Sequence, residues 1–422
     1  MPEQRVLVVS HTHPRLTRGG AEIAAYEQFR RLQAQPGVRA FFLAGNGGWH
    51  ARRPGVVMQQ PYGPDEYLAE AAGYDHFRHS NPDPALARSL GALLEELRPD
   101  VVHFHHFMGF GVEAFHLVRR HAPGARIVLT LHEYLAICAH YGQMVTKPDL
   151  ALCDRASPQR CHRCYPEMDP RSFFLRELWL KRFLHEVDLF IAPSRFLKER
   201  FVEWGLPAER FAVFENLLPP QAGTATGARR PGPFRAGFFG QLSRLKGIDV
   251  LVRAAELLEE RGTPALIEVH GSAEHQPPEF REHVRAALAG APKHLLSRGP
   301  YRNEEVTELM RGVDAVIVPS LWWENSPLII QEAAAAGRPV IGSGIGGVAE
   351  KVREQPGGMT FRVGDALDLV DRIEAMAALP PEERMPAPRS EAPGGTAALL
   401  ALYAGIAPRH PASRVDLHPA CP

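Results

Sequence analysis

The chain has 422 residues, more than a single hydrophobic core usually serves, so two domains are expected. Lys plus Arg and Asp plus Glu balance at 48 each, which excludes the basic surplus of a dedicated nucleic-acid binder. The opening apolar run Val6-Leu7-Val8-Val9 is too brief for a signal-peptide core, and no segment reaches the roughly twenty apolar residues of a membrane span, so the expectation is a soluble cytosolic enzyme.

Short β-rich runs alternate with helical patterns, the mark of an α/β chain with doubly wound parallel sheets. In the first half, strands are predicted at Arg5–Ser10, Arg39–Ala44, Asp100–His105, Arg126–His132, Asp188–Pro193 and Arg210–Glu215. After the first of them, His11 to Glu22 carries Gly19-Gly20, a flexible turn ahead of a helix. In His103-Phe104-His105-His106, strand alternation sends His103 and His105 to one face and His106 to the other. They are therefore read as satisfied polar residues near a cleft, not as a metal site, with His103 or His105 a candidate contact for an acceptor. His132-Glu133 closes the strand over Ile127–Leu131.

Cys138, Cys153, Cys161 and Cys164 fall in an insertion at about 138–166, the last two as Cys-x-x-Cys. Four thiolates in one window suit a tetrahedral structural zinc, with His140 and His162 as substitute ligands. Reduced or disulfide-linked cysteines and an iron–sulfur cluster are the alternatives. The run from Arg171 to Leu184 is a basic, aromatic helix, read first as a core-packing helix with snorkelling basic residues. The alternative is a helix lying peripherally on the inner face of an anionic membrane.

Residues 218–233, rich in Pro, Gly, Ala and Thr, read as a linker between a domain over 1–217 and one over 234–380. Strands are predicted next at Arg235–Gly240, Leu266–Gly271, Asp314–Pro319 and Pro339–Gly342, and residues 381–422 hold one helix, Thr396–Ile406, and a loose tail. Gly240 to Gly247 fills a strand-to-helix turn, where glycines let backbone approach a ligand and Arg244 and Lys246 supply positive charge. Gly271-Ser272 ends another strand. Gly342 to Gly347 fits Gly-x-Gly-x-x-Gly, but it comes late in its domain and Arg362 stands where a ribose-binding acid belongs. A tight turn is preferred there to a dinucleotide site.

The most informative stretch is Glu324 to Glu332. Ser326 is the predicted N-cap and Pro327 the first helical residue, so a helix starts where its free N–H groups and positive end face a ligand above the strand over Ala315–Pro319. Glu324 lies before the helix and Glu332 about two turns inside, so two carboxylates reach one ligand that carries both phosphate and hydroxyls.

The Glu-x7-Glu pattern with Asn325-Ser326-Pro327 resembles the donor-site signature of retaining glycosyltransferases of family 4. That resemblance implies the GT-B fold, two Rossmann-like domains facing across a cleft. It implies that Arg244 and Lys246 neutralise the departing diphosphate and that Gly240, Gly271 and the backbone from Asn325 through Ser326 and Pro327 to Leu328 line the nucleotide and phosphates. Glu332 would bond the ribose, and Glu324 and His132 the sugar. The Gly19-Gly20 loop would close over the donor, and Glu133 stands where the family usually has Asp. No Asp-x-Asp motif marks a strand end, so the fixed cations are expected to replace a catalytic metal. The implied partners are a nucleotide sugar, UDP- or GDP-linked, and a saccharide or lipid-linked acceptor in polysaccharide or glycoconjugate assembly. A nucleotide-sugar epimerase or phosphorylase of the same fold, and a non-catalytic nucleotide-binding module, are the competing readings.

Overall fold

The computed structural model describes residues 3–17, 19–47, 55–147, 149–217, 232–384 and 395–406. Most of the expected linker and the tail beyond 406 lie outside the described residues.

Two sheets divide the chain. The first has eight strands, in the spatial order Met58–Gly63, Glu66–Ala69, Val38–Gly45, Gln4–Ser10, Val101–Phe104, Arg126–Thr130, Leu189–Ala192 and Phe211–Val213. All neighbours are parallel except the hairpin between Met58–Gly63 and Glu66–Ala69. The second has six, Leu295–Gly299, Ala265–His270, Phe234–Phe239, Ala315–Val318, Val340–Ser343 and Met359–Phe361, all parallel. Two helix-covered parallel sheets of this kind make the GT-B architecture.

Parallel strands buried on both faces need continuous apolar runs, not alternation. Val6, Leu7, Val8 and Val9 supply one, none more than 1% exposed. Each sheet has an apolar cluster on either face. The last helix, Gly395–Gly405, returns to the first sheet: Tyr403 is fully buried beside Val6, Val8 and Phe42, and its hydroxyl lies 2.6 Å from His103 Nδ1.

Two local expectations shift. The helix after Glu324 spans Leu328–Ala335 with Pro327 at the N-cap, so Ser326 is not the cap. Its hydroxyl instead bonds to the Glu215 carboxylate, and Glu332 sits just over one turn inside. The Gly342–Gly347 run is a packing turn: a Cβ at Gly347 would stand 1.4 Å from the Asn325 carbonyl oxygen.

Candidate active site

In doubly wound sheets, loops at the carboxyl ends of the strands carry the ligand. In the second sheet these ends are locked together by backbone. Gly240 N–H donates to His270 O at 3.0 Å and Gly271 N–H to Gly299 O at 2.8 Å. Only glycine fits at 271, because a Cβ there would lie 1.8 Å from Gly240 O. The turn then tightens through Arg244–Lys246 to Gly247, at φ 78°, where a Cβ would meet the Pro319 carbonyl at 2.1 Å.

That close approach delivers Lys246 to Glu324: Nζ stands 2.7 Å from Oε1, and the Ser320 hydroxyl donates to the same oxygen. Glu324 is 6% exposed while Lys246 keeps a third of its side chain in solvent. Arg244 does not join this pair. It is exposed, with its guanidinium 5.7 Å from the centroid of the Phe280 ring. Glu332 is buried, and burial raises its carboxyl to about 7. It neighbours Tyr301, whose phenol is pushed up by burial and then by the Glu332 charge. Phe239 and His270 stack at 4.6 Å, and Tyr301 meets Phe239 edge-on at 6.0 Å, so an aromatic cup adjoins Glu332.

The first sheet contributes the opposite wall. Helix Gly20–Gln33 begins directly after Gly19, and a Cβ at Gly20 would lie 3.5 Å from Leu328 Cδ1, so the glycine turn abuts the start of the Leu328 helix. His132 Nε2 lies 3.0 Å from His105 Nδ1, and burial lowers His132 to about 3, keeping the pair neutral. His103 and His105 stack at 4.8 Å on one face. His103 is no acceptor contact: it is fully buried and held by Thr130, Gln28 and Tyr403.

A second polar row crosses the lip of this sheet. Glu22 accepts from the Thr17 hydroxyl and lies 3.3 Å from His11 Nε2. Against the upward push of burial, His11 brings the Glu22 carboxyl down to about 2. The rings of His11 and His106 are 4.6 Å apart, and His106 Nε2 lies 3.2 Å from Glu133 Oε1. Burial opposes ionisation of Glu133, and the His106 charge and hydrogen bond outweigh it.

The two halves meet at the Glu324 loop. Asn325 Nδ2 donates to Leu131 O at 3.3 Å, and the Ser194 hydroxyl donates to Asn325 Oδ1 at 2.8 Å. Glu215, already bonded to Ser326, pairs with Lys351 at 2.5 Å. The amides of Arg195 and Phe196 both donate to Glu350 at 2.9 Å, and Phe196 stacks on Trp323 at 5.1 Å. The side chains of Asn325 and Ser326 are therefore turned to the first half, which leaves the helix start to act through backbone N–H groups.

Local motifs announce Lys246, Glu324 and Glu332, whereas Tyr301, Glu215, Ser320 and the His106–Glu133 pair are missed. Of these only Tyr301 has a usable sequence signal, its place after Gly299-Pro300 at a strand end.

Cys138, Cys153, Cys161 and Cys164 line one cavity of about 280 Å³ with His140 and Tyr165. All four are free thiols, and burial pushes Cys138 up to about 11. Among the described residues, no three or more His, Cys, Asp or Glu side chains stand close enough to hold a metal ion, so the expected zinc finds no preformed ligand set.

Residues 18–221 match the family model described as Glycosyltransferase Family 4, and residues 233–378 match that described as Glycosyl transferases group 1. A D-inositol 3-phosphate glycosyltransferase of Nocardia farcinica is 30% identical over 48% of this chain and 47% of its own length. The match thus spans about half of that curated relative. Among solved structures, Anabaena HepE in complex with UDP and glucose superposes with a TM-score of 0.60 at 16% identity, covering 96% of this chain and 95% of that one. Sucrose-phosphate synthase from Thermosynechococcus elongatus gives 0.64 at 15% identity, over 95% of each chain.

Proposed function

Because this chain belongs to the family 4, group 1 glycosyltransferases and has the GT-B fold, we propose that it transfers a sugar from a UDP- or GDP-sugar to a saccharide or lipid-linked acceptor. In this reading transfer retains the anomeric configuration and uses no catalytic metal. The observation that carries it is the Lys246–Glu324 pair at 2.7 Å, set between the Arg244 turn and the backbone start of the Leu328 helix.

As the bond from the anomeric carbon to the diphosphate oxygen breaks, its electrons stay on that oxygen. Lys246, Arg244 turned in from Phe280, and the N–H groups at the helix start stabilise the charge. Once the diphosphate draws Lys246 away, Glu324 is free to accept hydroxyls of the sugar, with His132 at the opposite wall. Glu332 takes the ribose hydroxyls, beside the Phe239–His270–Tyr301 cup. The acceptor hydroxyl attacks on the face the diphosphate leaves, and its proton passes to the leaving phosphate oxygen. The row from Glu22 to Glu133 is placed to hold acceptor hydroxyls.

Release of free UDP or GDP from a donor and acceptor mixture, lost in Glu324→Ala and in Lys246→Ala, is the test. Turnover unchanged by both substitutions overturns the assignment. Incubation with sugar nucleotide alone separates transfer from epimerisation.

The cysteine loop, beside His132 and Glu133 in sequence, is read as shaping acceptor choice. A zinc there is supported by four thiols on one cavity, and it requires the loop to draw them together. Metal analysis of the purified protein, with and without Cys161→Ser, decides it.

A further inference from the structure

Helix Pro170–Leu184 carries large apolar side chains on its outward side as well as on its inward one. Its inward stripe is Phe173, Arg176, Leu180 and Leu184, so a guanidinium goes into the core. Arg176 is 4% exposed and satisfied by the carbonyl oxygens of Phe77, Ala136 and Leu135. Its outward stripe holds Phe174, Leu175 and Leu178, which are 53%, 59% and 51% exposed. The segment does pack on the core, through Leu180 and Leu184 with Trp179 and Phe183, but Arg176 is buried instead of snorkelling, and Phe174, Leu175 and Leu178 are left facing out.

Cations bracket this patch. Arg171 and Arg182, both exposed, lie on the same outward stripe, one before Phe174 and the other one turn past Leu178. Among the described residues neither has a carboxylate partner. Of the nearby acids, Glu177 pairs with Lys181 at 2.5 Å and Asp169 caps the helix through the Arg171 amide, while Glu167 lies exposed before the helix start. Tyr141, 71% exposed, adds an amphipathic ring near the helix start, where Tyr165 bonds Ala139 O and packs 6.2 Å from Phe173. No helix among the described residues is long and apolar enough to cross a membrane.

We propose that the Phe174–Leu175–Leu178 stripe, flanked by Arg171 and Arg182, docks this protein on an anionic bilayer surface. Apolar side chains enter the headgroup boundary while the guanidinium groups meet lipid phosphates. Through Arg176 the docked helix is tied to Leu135 and Ala136, just past His132 and Glu133, so the membrane side lies next to the acceptor wall. The inference rests on this surface alone and holds whatever the enzyme transfers.

The test is co-sedimentation of the full chain with phosphatidylcholine vesicles, with and without phosphatidylglycerol. The wild type is expected to bind only the anionic vesicles. The triple variant Phe174→Ser, Leu175→Ser, Leu178→Ser, and separately Arg171→Glu with Arg182→Glu, are expected to weaken that binding by roughly tenfold or more. Unchanged thermal melting of both variants excludes misfolding, and hydrogen exchange over 171–185 should slow when vesicles are added to the wild type. Absence of wild-type binding, or equal binding by the triple variant, overturns the proposal. So does self-association of the wild type that the triple variant abolishes without any vesicle binding, which would make the stripe a contact between copies.

Discussion

Lys246 and Glu324, 78 positions apart in sequence, form an ion pair at 2.7 Å that is buried at its carboxylate end and wet at its ammonium end. The two ends therefore respond differently to loss of the partner. Lys246→Met leaves a buried carboxylate with only the Ser320 hydroxyl, a destabilisation of about 1–3 kcal/mol. Glu324→Gln leaves an ammonium that water can solvate, and melting should fall less. Both variants should lose about 10²–10³ in kcat, because either the donor aimed at the leaving oxygen or the carboxylate that accepts from the sugar is gone. Thermal melting and initial rates on the same preparations check the asymmetry.

Glu332 makes folding stability depend on pH. Its folded carboxyl sits at about 7, above the ordinary 4.5, so the folded state holds this proton more tightly than the unfolded chain does. The advantage is complete below pH 4.5 and is lost as pH rises through about 7, in total about 3 kcal/mol. Glu332→Gln, neutral throughout, should melt at a similar temperature to the wild type in acid and above it at about pH 8. Parallel melting curves across that range would refute the assignment. If Glu332 holds the ribose, the same variant should also raise the donor KM.

Gly347 has no room for a methyl group, since its Cβ would enter the Asn325 carbonyl at 1.4 Å. Gly347→Ala should destabilise the protein by about 1–3 kcal/mol through overpacking. Because the displaced backbone is the Glu324–Asn325 loop, the donor KM should rise as well. A drop in melting temperature with normal donor kinetics would uncouple this turn from the site.

Arg176 is held by three carbonyl oxygens and no carboxylate, and burial lowers its guanidinium to about 10. Arg176→Leu removes the charge but orphans Phe77, Leu135 and Ala136, at a cost of about 2–4 kcal/mol. Faster proteolysis within 135–165 should accompany the lower melting temperature, because those carbonyls anchor the cysteine loop.

Legibility of the fold followed burial. Most strands inside a sheet carry their own apolar run and are readable from residue order; the internal strand Glu66–Ala69, four residues long and only half buried, is not. The strands missed were Met58–Gly63, Glu66–Ala69, Leu295–Gly299 and Met359–Phe361, three of which form sheet edges where one side needs no apolar partner. The site shows the same division. Glu324 and Glu332 are positioned by one strand, one turn and one helix, so local chemistry makes their placement legible. The Ser326 cap was misplaced because Glu215, 111 positions away, claims its hydroxyl. Nor does spacing hint that His103 would be bonded to Tyr403, 300 positions on.

That last contact bears on how the molecule opens. With helix Gly395–Gly405 seated against the first sheet, the polypeptide passes between the halves once in each direction. Any opening of the halves then leaves Tyr403 with the first sheet, whose interior it fills. An isolated first half would also lack a piece of its own interior, and fusing residues 395–406 to it should restore solubility that the bare fragment lacks.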